Sequence, residues 1–208
     1  MIIDVHCHYM RSLGENAAPG GLPTFIHNLG KMWGIEKPIG DIQHYFSKFV
    51  GDTNYDKFVE DMDRSGVDVS VLFFFDNIDE GENDEQVLKL NKHLANIEER
   101  HPERIISFAS IDPRRKKASD LFRTCIEDHR LRGLKWHPDD GYYPNSPEAY
   151  RVLEVAEELD VPLLTHTGPL PGWRSKYSHP IHLDDVALDF PKLKIIAAHM
   201  GDTCARAR

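Results

Sequence analysis

Two histidines one residue apart, His6 and His8, sit near the start of the chain in the run Ile2-Ile3-Asp4-Val5-His6-Cys7-His8. If Ile2 to Val5 leads into the pair as a strand, side chains alternate faces, so both imidazoles point one way and Cys7 the other. Two imidazoles on one face at a strand's end can clamp one metal ion. Three more histidines stand at or just past apolar runs: His137 after Gly133-Leu134-Lys135-Trp136, His166 within VPLLTHT, and His199 after Ala198. His6, His8 and His166 would offer three neutral imidazoles to a zinc-like ion with one position left for water. Such an ion lowers the pKa of that water from about 15.7 to roughly 7. His199 would then move protons, since an unperturbed imidazole titrates near 6.5. Lys135, Tyr143 and Arg174 are the partners expected for an acidic group on a small-molecule substrate. Asp4, counted from His6, shares the histidines' phase; it would either accept a hydrogen bond that fixes a ligand tautomer or be a charge packed near the barrel floor.

Several residues invite a plainer reading. His137 precedes Pro138 and is expected to cap its strand rather than to ligate. Lys135 reads as a cation on the rim rather than a modified bridging ligand. His179 and His182 lie in a proline-bounded loop and receive no role, while His27, His44, His93, His101 and His129 are expected to face solvent.

The elements that must position these residues alternate along the chain. Residues 55–65 read as a helix with Phe58, Val59 and Met62 at core-facing spacing and Gly66 as its stop. VDVSVLFFF over residues 67–75 is a buried strand, and residues 84–100 form an amphipathic helix ended by His101-Pro102. Strands follow over 105–111, 133–138, 161–167 and 193–198, separated by helices over 119–128, 149–159 and 183–190. Strands and helices alternating at this spacing imply parallel βαβ units. An open doubly wound sheet would gather its ligands at one switch point. Histidines instead recur at the C-terminal ends of strands one, four, five and six, the rim on which a (β/α)8 barrel builds its active site. No glycine-rich fingerprint follows the first strand. Residues 9–54, rich in Gly and Pro but carrying Trp33, Tyr45 and Phe46, are expected to form a lid-like insertion with a short helix at about 42–50.

The 208 residues are 40% hydrophobic and 28% charged, as in an ordinary soluble globular domain. Thirty-four acidic residues against 25 basic ones give a net charge of −9, which disfavours nucleic acid and anionic membranes as partners. Cys7, Cys125 and Cys204 show no paired spacing, and a reducing cytoplasm is the expected location.

Taken together, DVHCH, GLKWHP, LLTHTG and AAHMG, with MDRSGVDVSVLF and HPIHLDDVALDFPKLKIIAAHMG, resemble the amidohydrolase superfamily over residues 1–201. More narrowly they are similar to its amidohydrolase-related branch of TIM-barrel metal hydrolases and zinc-dependent non-oxidative decarboxylases. The resemblance implies that His6, His8 and His166 are metal ligands. It makes His199 the catalytic histidine, or a second-metal ligand if the centre is binuclear. Zn2+ is the implied ion, with manganese, iron or cobalt as substitutes. The implied reaction is hydrolysis of a small amide, ester or lactone; decarboxylation of an unsaturated or aromatic acid is the alternative, and an inactive binding module a third. The family's last ligand, an aspartate ending the eighth strand, has no counterpart here. The expected fold is therefore an incomplete TIM-type barrel of about six βα units in a single C-terminally truncated domain. Its two open edge strands would invite pairing with another chain, a second copy included.

Overall fold

Apolar β-branched and aromatic runs become strands wherever a helix can cover one of their faces. The computed structural model describes residues 1–9, 36–47, 52–170 and 173–201, with His27, Gly30, Lys31 and Gly34. Its strands are β1 (Ile3–His8), β2 (Val69–Phe73), β3 (Ile105–Ser107), β4 (Ala109–Ser110), β5 (Leu134–Trp136), β6 (Leu163–His166) and β7 (Ile195–Ala198). The helices are α1 (Ile39–Ser47), α2 (Asp56–Ser65), α3 (Asp84–Arg100), α4 (Ala118–Glu127), α5 (Pro147–Glu158) and α6 (His182–Asp189). Most of the expected lid lies outside the described residues; its helix is found as α1, and residues 48–51 are also outside.

Every strand pair is parallel, in the orders β1-β2-β3 and β4-β5-β6-β7. β3 and β4 are one run interrupted at Phe108, the first half pairing back to β2 and the second forward to β5. Six strand positions therefore stand in one parallel series with a helix in each crossover, the incomplete TIM-type barrel that the sequence implies. Helix ends follow local chemistry. Gly66 ends α2 at φ 71°, its N–H reaching the Met62 and Asp63 carbonyls. Asn83 and Gln86 form a reciprocal capping box at the start of α3.

Alternation along the strands sorts side chains into two cores. Leu72, Phe74, Leu134, Trp136 and Leu163 face outward and pack with Leu94, Ile97, Phe122 and Leu153 of the helices. Val71, Phe73, Phe108, Leu164 and Ala198 face inward and fill the middle of the curled sheet. Among the described residues β1 and β7 are each paired on one side, and Ile3 and Val5 are 43% exposed there.

One expectation fails inside β1. The pairing runs Asp4 to Ser70 but Cys7 to Leu72, so one extra residue bulges out between them. Asp4 thereby falls on the outer side with Ser70, where its carboxylate accepts from Cys7 Sγ (3.1 Å) and from the His6 backbone N–H (3.0 Å). It touches neither imidazole in these contacts. His6 and His8, beyond the bulge, both face inward against Phe73. His93 and His101 are half-buried rather than solvent-facing: their Nε2 atoms meet the Thr53 and Asn54 carbonyls at 2.9 and 2.8 Å and pin the approach to α2.

The inner core leaves no slack beside Gly133. A Cβ there would stand 2.6 Å from the Phe108 ring, well inside van der Waals contact. Gly133→Ala is expected to cost about 1–3 kcal/mol in urea unfolding through overpacking, and Phe108→Leu in the same chain to recover part of that loss.

Candidate active site

Six rings meet at the barrel mouth, two from β1 and one from each of four other strand ends. The rings close a circle: His6–His8 (centroids 4.9 Å apart), His8–Phe75 (4.4 Å), Phe75–His137 (4.3 Å), His137–His166 (4.5 Å), His166–His199 (4.9 Å) and His199–His6 (4.6 Å). β1, β6 and the segments just past β2, β5 and β7 each contribute. Lys135 faces inward one layer below, level with Leu164 in the sheet register. Its Nζ stands 3.4 Å from His6 Nε2 and 4.5 Å from the centre of the Phe73 ring.

Asp139 brings a carboxylate into the same place. It is 2% exposed; Oδ1 lies 2.6 Å from His137 Nδ1, and Oδ2 lies 3.9 Å from His166 Nε2. Neither oxygen accepts a well-formed hydrogen bond, and the Nδ1 atoms of His8 and His137 are likewise buried without one. Burial, with the Lys135 charge nearby, pushes His6 down to about 2; burial, with His137 nearby, pushes His166 down to about 3. His8 and His137 are driven well below the usual histidine range for the same first reason, so four imidazoles are held neutral. Burial also pushes Lys135 down to about 7, and pushes Asp139 up to about 6 against the pull of His166.

Backbone around the site is held tightly. The turn Pro138–Asp140 after β5 is gripped by the Tyr142 hydroxyl, which accepts from the His137 N–H at 3.0 Å, and by the Asp139 carbonyl, which accepts from the Arg174 N–H at 3.4 Å. Behind Tyr142, Arg114 lies 5.7 Å over its ring and is forked onto Asp112, while the buried Arg115 is forked onto Asp76. Past β7 the chain makes a left-handed turn, with φ of 63° at His199, 50° at Met200 and 75° at Gly201. Non-glycine residues adopt that region at a cost, commonly where function demands it. Thr167 pins the turn: its hydroxyl donates to the Ala198 carbonyl (2.5 Å) and accepts from the Gly201 N–H (2.9 Å).

Two open cavities elsewhere, about 620 and 490 Å³, lie at the N-terminal ends of the strands around Asp68 and Arg104 and around Glu98 and Arg132. Neither is lined by any residue of the ring circle.

A family model described as amidohydrolase matches residues 3–205. The chain belongs to the amidohydrolase family. No curated protein matches it in sequence. Among solved structures it is similar to 4-oxalomesaconate hydratase from Rhodopseudomonas palustris, at 18% identity and a TM-score of 0.60, covering 98% of this chain and 64% of that one. It is similar to 2,6-dihydroxybenzoate decarboxylase from Rhizobium, at 18% identity and a TM-score of 0.60, covering 96% and 66%. It is also similar to a manganese-bound 5-carboxyvanillate decarboxylase from Novosphingobium aromaticivorans, at 15% identity and a TM-score of 0.65, covering 98% and 67%. The amidohydrolase chain thus spans about two thirds of the length of these structures. Among its described residues no helix is long and apolar enough to cross a membrane.

The structure brings His6, His8, His166, His199 and Lys135 together, as the sequence suggests. Tyr143 and Arg174 stand further out: Tyr143 packs on the rings of Tyr177 and His182, and the Arg174 side chain is exposed. His137, a strand cap by its sequence, is buried within the circle, and Asp139 is a member of the site that the sequence reading misses. The signal available was the spacing H-P-D, which sets a carboxylate two residues past an inward histidine. Buried imidazole nitrogens and carboxylate oxygens lacking hydrogen bonds are donors that a divalent ion would satisfy, and this mixed set suits zinc or manganese. The residues present fit a metal ion.

Two outcomes test this description in the metal-free chain. Thr167→Val strips both hydrogen bonds from the left-handed turn and is expected to lower stability by about 1–3 kcal/mol in urea unfolding. Lys135 has a folded pKa of about 7, below its unfolded value of 10.5, so above pH 7 the unfolded chain holds a proton that the folded chain has lost. Stability contributed by this group therefore rises with pH, by at most about 1.4 kcal/mol per unit. The gap between wild type and Lys135→Met, measured by urea unfolding from about pH 7 to 8.5, is expected to shift in favour of wild type by this route.

Proposed function

We propose that the chain carries the catalytic rim of a metal-dependent hydrolase acting on a small amide, ester or lactone. The observation that carries this is the circle of converging imidazoles, four of them held neutral by burial, above one buried amine. His6, His8 and His166 hold the divalent ion, with zinc favoured by a histidine-rich set. When bound, the ion supplies Lewis acidity and a water acidic enough to deprotonate near neutral pH. His199, held between His6 and His166 by the strained turn, takes a proton from the nucleophile and returns it to the leaving group. Lys135 meets negative charge on the reacting group, where a buried cation acts far more strongly than it would in water. Tyr143 and Arg174, from the loops past β5 and β6, contact the outer part of the substrate.

A second reading, decarboxylation of an unsaturated or aromatic acid, is favoured by one feature of Lys135. Among the described residues no carboxylate lies within ion-pair distance of this buried amine, which leaves it ready for a substrate carboxylate. The decarboxylases among the similar structures support the same reading.

The test is turnover by the zinc-loaded chain, following proton release from lactones and esters and carbon dioxide release from hydroxylated benzoates. Hydrolysis is expected, with kcat about 10²–10⁴-fold lower in His199→Asn and metal lost in His166→Ala. Carbon dioxide release without hydrolysis would select the second reading. A chain that keeps its zinc and turns over neither class would sink both.

A further inference from the structure

We infer that His137, Asp139 and His166 form a cation seat of their own, with Asp139 as its anionic ligand. The seat goes beyond the reading above, which places the metal on His6, His8 and His166, and it shares His166 with that reading. Among the described residues this is the trio of histidine, cysteine and acidic side chains whose ligand atoms all lie within 4.8 Å of one another, and all three are buried.

Three observations point to a ligand rather than to a merely buried acid. First, Asp139 is 2% exposed, and neither of its oxygens accepts a well-formed hydrogen bond. A carboxylate so placed normally gathers two or three donors; in their absence a cation is the partner that satisfies it. Second, His137 Nδ1 stands 2.6 Å from Asp139 Oδ1, yet the pair does not form an aligned hydrogen bond. If Asp139 served simply to orient His137, the ring N–H would point along that line. Two lone-pair donors in such close contact without an aligned proton repel each other, and a cation bound beside both relieves that repulsion. Third, the backbone that carries the carboxylate is held in place. Its turn is fixed on one side by Tyr142 on the His137 N–H, and on the other by the Arg174 N–H on the Asp139 carbonyl. The His137 and His166 rings are stacked, 4.5 Å apart at 26°, so that both imidazoles stand next to the acid. Nitrogen and oxygen donors mixed in this way suit zinc, manganese or cobalt rather than the hard, all-oxygen ions.

Cobalt(II) provides a probe that reads contact rather than activity. A thiolate bonded to cobalt gives a near-ultraviolet charge-transfer band that a thiolate elsewhere in the protein does not. The full chain with Asp139→Cys, titrated with cobalt, is expected to gain this band over wild type, whose own cysteines set the baseline. It is expected to keep the band when His6→Ala and His8→Ala are added. Asp139→Asn, which preserves shape, is compared with its parent in a chain that carries His6→Ala and His8→Ala: it is expected to bind zinc at least ~10-fold more weakly in equilibrium dialysis, and to lose the zinc-dependent rise in Tm. Cobalt binding by Asp139→Cys without the band, or zinc affinity unchanged in Asp139→Asn, would overturn the seat. Both results are independent of turnover. Loss of zinc in the His6→Ala, His8→Ala chain itself would leave the hydrolase reading standing and remove this one.

Discussion

A barrel mouth that gathers five imidazoles, two of them fully buried, around one buried amine and one buried carboxylate sets the terms for the rest of the structure. Charge in such a place is expensive, and the molecule responds by keeping most of these groups neutral: His6 and His166 are held down to about 2 and 3. Neutral imidazoles are also what a metal ion requires, since ligands must shed their protons to bind; here His6 and His8 share one contact between their Nε2 atoms (2.9 Å), and His166 Nε2 meets the Gly168 carbonyl (3.1 Å), contacts an ion would replace. The burial that destabilises the metal-free rim is thus the condition of its chemistry. Such sites weaken the fold locally, and the surroundings must hold them in place.

The restraint is visible in the second layer. Arg114 and Arg115, forked onto Asp112 and Asp76, tie the loops after β2 and β4 to each other and back the Tyr142 ring. Tyr142 in turn holds the His137 N–H and fixes the turn that carries Asp139. On the far side Thr167 locks three left-handed residues so that His199 leans inward between His6 and His166. A strand continuing straight past Ala198 would carry this histidine along the barrel wall. The backbone strain is accepted because two hydrogen bonds over-determine the turn.

The sequence conveyed the fold through period and punctuation: apolar runs of strand length, helices of matched spacing, and stops such as Gly66 and His101-Pro102. It also showed that His6, His8, His166 and His199 share a rim, because alternation and strand ends are local properties. What it concealed was non-local. The bulge in β1 is a matter of register against β2, and it moved Asp4 to the outer face while leaving the two histidines inward. His137 looks like a cap because Pro138 follows it, and only the pairing register of β5 on β6, one step past Trp136 against Thr165, sets it beside His166. Asp139 lies in a three-residue turn whose direction no periodicity describes. His93 and His101 read as surface residues on a helix until the 52–55 segment is laid across them.

Family membership and fold leave the reaction open, and the depth of Lys135 narrows it. Its Nζ stands 3.4 Å from His6 Nε2, so one small group bound there touches both at once. That spacing leaves no room for a linker between the group the amine meets and the group that reacts. In either proposed reaction the amine would therefore address the reacting atoms themselves, a carboxylate about to leave or an oxygen that becomes negative as a carbonyl is attacked. An amine held near pKa 7 by burial suits both roles, because it gains its proton as negative charge arrives or develops beside it. The two reactions then differ in when the charge appears, before the first step in decarboxylation and during it in hydrolysis. Rings packed this closely around the mouth would, in either proposed reaction, suit a flat, compact reacting group.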